Sequence, residues 1–135
     1  MILSFKPQFV KPILDFSKIH TIRLDPHNRW KAGTKIHFAT GIRTKSYRQF
    51  MEGECKGVQK IEIILAKQTY SEISHTDNLD VFINGSYRSE TRRLMQNFFE
   101  NDGFENQDEF IRFFFGNKPT GKFKGKIIHW TDFKY

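Results

Sequence analysis

A chain of 135 residues holds one ordinary domain, and a 38% apolar content that includes 15 Phe can fill a core without staples. The lone Cys55 excludes an internal disulfide and cannot by itself build a zinc site. With no run near the ~20 apolar residues of a membrane span and no secretion leader, a cytosolic protein free of membranes is expected. The formal charge of +7 falls in blocks: 13 Lys and Arg against 5 Asp and Glu over residues 1–67, 4 against 9 over 68–117, and 5 against 1 over 118–135. If the two basic ends meet in the fold, they make one positive surface facing polyanions, a sharper segregation than solubility needs.

Ile2–Phe5 reads as a short strand ended by Pro7, after which Phe9, Val10, Ile13 and Leu14 recur at helical spacing. Pro7 suits a first helical turn, whereas Pro12 removes a hydrogen bond deeper in, so this helix is short or kinked. Ile19–Leu24 and Lys35–Thr40 follow as strands, the second entered through a turn at Ala32-Gly33, and a polar segment over 41–48 comes next. The β-branched run Gly57–Leu65 predicts a long strand, and Asn84-Gly85 within Leu79–Arg88 is a strong hairpin signal. Ser89 can cap a helix whose stripe is Leu94, Met95, Phe98 and Phe99, with Gly103 as its stop. Asn106 can cap another, with Asp108 and Glu109 in its first turn, Phe110, Ile111, Phe114 and Phe115 on its core face, and Gly116 ending it. Phe123–Phe133 closes the chain as a strand, with Lys122, Lys124 and Lys126 on one side in line with Ile128 and Trp130. Short strands around two or three helices, with no repeat or linker, predict a single α+β domain over residues 1–135, built as a small, mostly antiparallel barrel.

Phosphate loops, His-Glu-x-x-His and Gly-x-Ser-x-Gly are absent, and His20, His27, His37, His75 and His129 lack metal-ligand spacing. Neither metal nor cofactor is therefore expected, and each histidine reads as a surface or edge-strand residue. The segment Lys18–Asp25 stands out. A strand there puts Thr21 and Arg23 on one face, with Lys18 at the entrance leaning over it. A lysine of lowered pKa can take a hydroxyl proton and make Thr21 a nucleophile, while a neighbouring guanidinium holds phosphate or carbonyl oxygens. The same residues equally suit plain binding, because Lys-x-x-Thr is a common pattern. Asp102 ends a predicted helix, where the dipole disfavours an anion and favours an acid role; an ordinary Asp-Gly turn accounts for it without chemistry. Arg29-Trp30-Lys31 and the stretch holding Arg43, Lys45, Tyr47 and Arg48 interleave charge with rings, as single-strand binders do. For Trp30 the alternative is a core plug, and for Lys122, Lys124 and Lys126 it is a solvated edge that discourages aggregation.

Phe16-x-Lys18-x-x-Thr21-x-Arg23, following a strand and a helix, resembles the Gly-x-Lys-x-x-Glu-x-Arg signature of the ASCH domains, relatives of the PUA RNA-binding fold. The likeness extends through Trp30-Lys31-Ala32-Gly33-Thr34-Lys35-Ile36 and Asn101-Asp102-Gly103-Phe104 to Glu109-Phe110. It implies a PUA-like open β-barrel flanked by helices, binding RNA, single-stranded nucleic acid or a modified nucleoside in a basic cleft lined by the Lys18–Arg23 strand. Phe16 departs from the pattern's Gly, and Thr21 from its Glu. A Thr there is similar to the ASCH members that hydrolyse N4-acetylcytidine. In those the resemblance implies Lys18 as base, Thr21 as nucleophile and Asp102, shorter than their Glu, as the acidic partner. A binding module, an amidohydrolase and a protein-interaction adaptor are the three expectations.

Overall fold

The computed structural model describes residues 1–69, 75–89 and 91–135, with backbone alone over 67–69 and 75–77. In chain order the elements are β1 (Ile2–Ser4), a 3-10 turn (Pro7–Phe9), α1 (Val10–Leu14), β2 (His20–Arg23), β3 (Lys35–Thr40), β4 (Arg48–Glu54) and β5 (Gly57–Thr69). β6 (His75–Ile83), β7 (Ser86–Tyr87), α2 (Arg92–Asn101), α3 (Gln107–Phe115) and β8 (Gly121–His129) follow. The proline pair limits the first helix as the sequence predicts: Pro7 opens the 3-10 turn and α1 has only five residues. Its face is narrower than expected, with Phe9 and Ile13 buried and Leu14 49% exposed.

Among the described residues the strands form two sheets and no closed barrel. β1 runs parallel to β3, which pairs antiparallel with β4, a strand that the sequence pattern did not point to. The five-stranded sheet, in the order β2-β8-β5-β6-β7, is antiparallel throughout. Asn84 (φ 51°) and Gly85 (φ 83°) make the tight turn between β6 and β7, as two consecutive left-handed residues in a hairpin require. Because β8 lies between β2 and β5, the basic first and last parts of the chain are brought side by side, Arg23 opposite Lys126 and Lys60 opposite Lys126.

β8 changes surroundings along its length. Residues 127–130 are buried on both faces: Trp130 packs edge-on to Phe38 (ring centroids 5.0 Å) and Phe5 (6.1 Å), while His129 faces His20 (5.4 Å). At the other end Lys122 and Lys124 are exposed on the face that carries Ile128, because the smaller sheet covers only one end of the larger. The Phe clusters of α2 and α3 are core, Phe98, Phe99 and Phe110 meeting at 5.0–5.9 Å. Asn106 caps α3, accepting the Glu109 N–H at 3.0 Å. α2 is capped by Thr91, not Ser89: Thr91 Oγ1 accepts the Leu94 N–H at 3.1 Å, and Ser89 Oγ instead accepts the Val81 N–H of β6 at 2.8 Å. Leu94, expected in the buried stripe, is 52% exposed. No helix among the described residues is long and apolar enough to cross a membrane.

Candidate functional site

Two backbone hydrogen bonds fix the entrance to β2. The Lys18 N–H donates to Pro12 O and the Ile19 N–H to Asn101 O, each at 2.9 Å, so this segment is held between α1 and the end of α2. That end is a Schellman motif: the Gly103 N–H donates to Glu100 O (2.9 Å) and the Phe104 N–H to Phe99 O (2.8 Å), with Gly103 left-handed at φ 90°. A Cβ on Gly103 would stand 2.8 Å from Lys18 Cδ and 3.0 Å from Phe9 Cδ1, so glycine is needed here both for its conformation and for the passage of the lysine stem. Asp102, the residue before it, thereby faces the Lys18 ammonium across 84 positions of sequence.

A cleft of about 400 Å³ opens at this junction, and Lys18, Thr21, Arg23 and Asp102 all line it. Its remaining walls are mostly apolar, from Phe5, Phe9, Ile42, Phe104, Phe113 and Phe114. Lys18 is 2% exposed, and its Nζ donates to Asp102 Oδ1 at 3.1 Å and to the Asp102 carbonyl, one of the free acceptors at the end of a helix. The Lys18 stem lies under Phe9, whose ring centroid is 4.9 Å from Nζ. Burial pushes the lysine's pKa down; Asp102 opposes this and Arg23 adds to it. Lys18 makes no direct hydrogen bond to the Thr21 hydroxyl. Asp102 takes the lysine, and Thr21, 5% exposed, has no hydrogen-bond partner for its hydroxyl among the described residues.

Arg23 stacks over Phe5 (5.1 Å) and donates through Nη2 to Ser4 O, while its Nε is buried without a partner. Burial lowers its pKa, though not enough to cost a guanidinium its charge. Three basic side chains, Lys6, Lys18 and Arg23, thus line the cleft against one carboxylate, in apolar walls that strengthen any electrostatic contact.

Asp102 has a second partner that the sequence reading missed. His20 Nδ1 lies 3.3 Å from Asp102 Oδ1 without the alignment of a hydrogen bond, and His20 Nε2 is 2.6 Å from the Tyr135 hydroxyl. His20 and His129 are fully buried; His20 lies on the edge strand β2, one of the two placements expected, whereas His129 lies on the inner strand β8 and fits neither. Alternation along a four-residue strand cannot say which face is covered, and here both faces of β2 are. His27 is exposed as expected, His37 is half-buried on β3, the central strand of the smaller sheet, and the His75 side chain lies outside the described residues.

The other candidate binding residues lie apart from the cleft. Trp30 is 8% exposed and belongs to the core, so its ring is not offered for stacking. Its backbone N–H and that of Arg29 donate to the Asp25 carboxylate at 3.0 and 2.8 Å, which folds the 24–34 loop under the ring. Arg29, Lys31, Arg43, Lys45 and Arg48 are exposed, and only Gly41 and Ile42 of the 41–47 loop reach the cleft. Of the lysine row, Lys122 pairs with Glu62 (3.0 Å) and Lys126 with Asp25 (3.2 Å), while Lys124 has no carboxylate partner among the described residues. No family model, curated protein or solved structure matches this chain, so its chemistry is argued from its own geometry.

Proposed function

We propose that this chain is a PUA-like, ASCH-type domain that binds a nucleobase-bearing ligand, as a modified nucleoside or as one nucleotide of RNA or another single strand, in the Lys18–Arg23 cleft. The observation that carries the reading is the convergence of Lys18, Thr21, Arg23 and Asp102 on one apolar-walled cavity of about 400 Å³. That volume falls in the range of small-molecule sites, about 300–1,000 Å³, and suits a single base rather than a duplex. Aromatic walls stack on a base, and the Arg23 guanidinium that lines the cleft supplies positive charge for a base carbonyl or a phosphate oxygen. The single Cys55, fully buried, suits a reducing cytoplasm.

One arrangement favours a second reading, amide hydrolysis on an N4-acylated cytosine. Lys18 is biased toward its neutral form by burial and lines the same cleft as a Thr21 hydroxyl with no hydrogen-bond partner among the described residues, and an acidic group holds the amine in place. The lysine lone pair takes the hydroxyl proton as Thr21 Oγ1 bonds to the acyl carbon. Collapse of the tetrahedral adduct breaks the bond to N4, which leaves with that proton. Water then cleaves the threonine ester, releasing the carboxylic acid and restoring the hydroxyl.

Titration with cytidine and N4-acetylcytidine, followed by mass spectrometry, tests both readings. Binding is expected for wild type and lost in Lys18→Met and Arg23→Met. If the site is catalytic, acetate release is abolished in Thr21→Ala while binding survives. Binding of neither nucleoside nor single-stranded RNA, by a protein that melts cooperatively, overturns the proposal.

A further inference from the structure

The turn that follows β2 separates the cleft from a second groove. Ile22 and Arg23 line the first; Leu24, Asp25 and Pro26 line the second, a depression of about 540 Å³ whose opposite wall is the bare end of the larger sheet. That wall presents Lys60 of β5, Phe82 of β6, and Lys124 and Lys126 of β8. The groove's two carboxylates are already engaged, Glu62 by Lys122 at 3.0 Å and Asp25 by Lys126 at 3.2 Å. Lys60 and Lys124 are exposed and have no carboxylate partner among the described residues. In the β5–β8 register Lys60 stands opposite Lys126 and Glu62 opposite Lys124, so the two free lysines are diagonal neighbours on one face. Phe82 stands opposite Glu62 in the β5–β6 register and shares that face. A half-covered antiparallel sheet ordinarily carries polar side chains on its open side, yet here a phenyl ring and the 69% exposed Leu24 border unneutralised charge.

A planar apolar surface beside two free cations matches a polymer that alternates flat rings with anions. We infer that this groove binds single-stranded nucleic acid, its phosphates on Lys60 and Lys124 and a base against Phe82, independently of what the cleft holds. An acidic polypeptide would use the lysines but has no need of the ring. Should both sites be used, the shared turn at residues 22–26 would let one strand lie in the groove and present a base to the cleft.

Fluorescence anisotropy with a labelled single-stranded RNA of about 10 nucleotides, within the site sizes of single-strand binders, tests the inference on the full chain. Lys60→Gln and Lys124→Gln are each expected to weaken binding at low salt and to lower the slope of log Kd against log salt by about 0.7, one phosphate contact apiece. Phe82→Ala is expected to weaken binding roughly 5- to 150-fold. Phe82→Leu, which keeps the apolar volume and so the fold, should weaken it in the same direction. Lys18→Met, confined to the cleft, should retain the lysine-dependent salt slope. If binding is lost in Lys18→Met but indifferent to Lys60, Lys124 and Phe82, the groove is overturned and the cleft reading stands. If polyglutamate competes as well as RNA and Phe82→Leu changes nothing, the occupant is an acidic polypeptide and the inference is likewise overturned. Absence of RNA binding at low salt also overturns it.

Discussion

Phe16 holds a backbone angle that favours glycine. It stands where the resembled signature has Gly, and its φ of 63° lies in the left-handed region that L residues adopt only at a cost. The ring is 63% exposed, so little burial offsets that strain. Phe16→Gly removes about 1–2 kcal/mol of conformational strain. The greater freedom of glycine in the unfolded chain takes back roughly 0.5–1 kcal/mol. The expected outcome is a small net gain in stability, visible as a higher urea midpoint at an unchanged slope. A lower midpoint would mean that the ring does packing work its exposure does not suggest. Lys18 and Asp102 are the converse case. Their residue types were legible as candidates, but the placement of one against the other follows from Ile19 binding the carbonyl of Asn101, a contact between distant segments.

At the scale of elements, α2 illustrates a choice between two local signals. Ser89 and Thr91 are both good caps by type, and nothing in their spacing separates them. The tie is broken by β6, whose Val81 N–H needs an acceptor and takes Ser89 Oγ. Thr91→Ala is therefore expected to cost about 1 kcal/mol and to speed amide exchange at the start of α2. Ser89→Ala should leave that turn protected and loosen Val81 instead. Hydrogen exchange on the two variants separates the roles, and equal fraying of α2 in both would refute the assignment. The lysine row of β8 carries the same lesson. Alternation puts Lys122, Lys124 and Lys126 on one face, but neighbouring elements supply Glu62 and Asp25, which neutralise two of the three.

For the molecule as a whole, the two buried histidines govern acid stability. Gln59 Nε2 donates to the Tyr135 carbonyl, so Gln59 Oε1 is an acceptor, and His129 must offer it the Nε2 proton at 2.9 Å. The second nitrogen, Nδ1, is buried without a partner, and protonating it would strand a charge there. Burial accordingly pushes His129 down to about 3, with nearby His20 and Lys134 adding to the shift, and burial also pushes His20 down despite Asp102. Groups depressed in the folded state bind protons more readily once unfolded. The His129 contribution to stability is complete above the unfolded value near 6.5 and is lost as pH falls toward about 3, and that of His20 is lost in the same direction. Stability is expected to be flat just above pH ~6.5 and, as pH drops below it, to fall by up to about 1.4 kcal/mol per pH unit through His129, with His20 adding in the same direction. Denaturant melts across this range check it. His129→Gln should remove one histidine's share of the slope, and an unchanged slope in that variant would show that His129 does not carry it.

The sequence by itself determined the order of most elements and the α+β, largely antiparallel character. Strand alternation, the Asn84-Gly85 turn, the Asn106 cap and the Gly103 stop all act within a few residues of chain. β4 escaped because Arg48–Glu54 is polar along much of its length and half-exposed, with no apolar alternation to reveal it. Only the tertiary structure decided that the strands form two sheets, that Trp30 is core, and that His20 and His129 are buried. The same holds for which cations keep a free charge and for the meeting of Asp102 with Lys18. The physical reason is common to all of these. Burial and charge pairing depend on which distant segments pack together, and local periodicity, capping and turn chemistry constrain each segment without naming its partner.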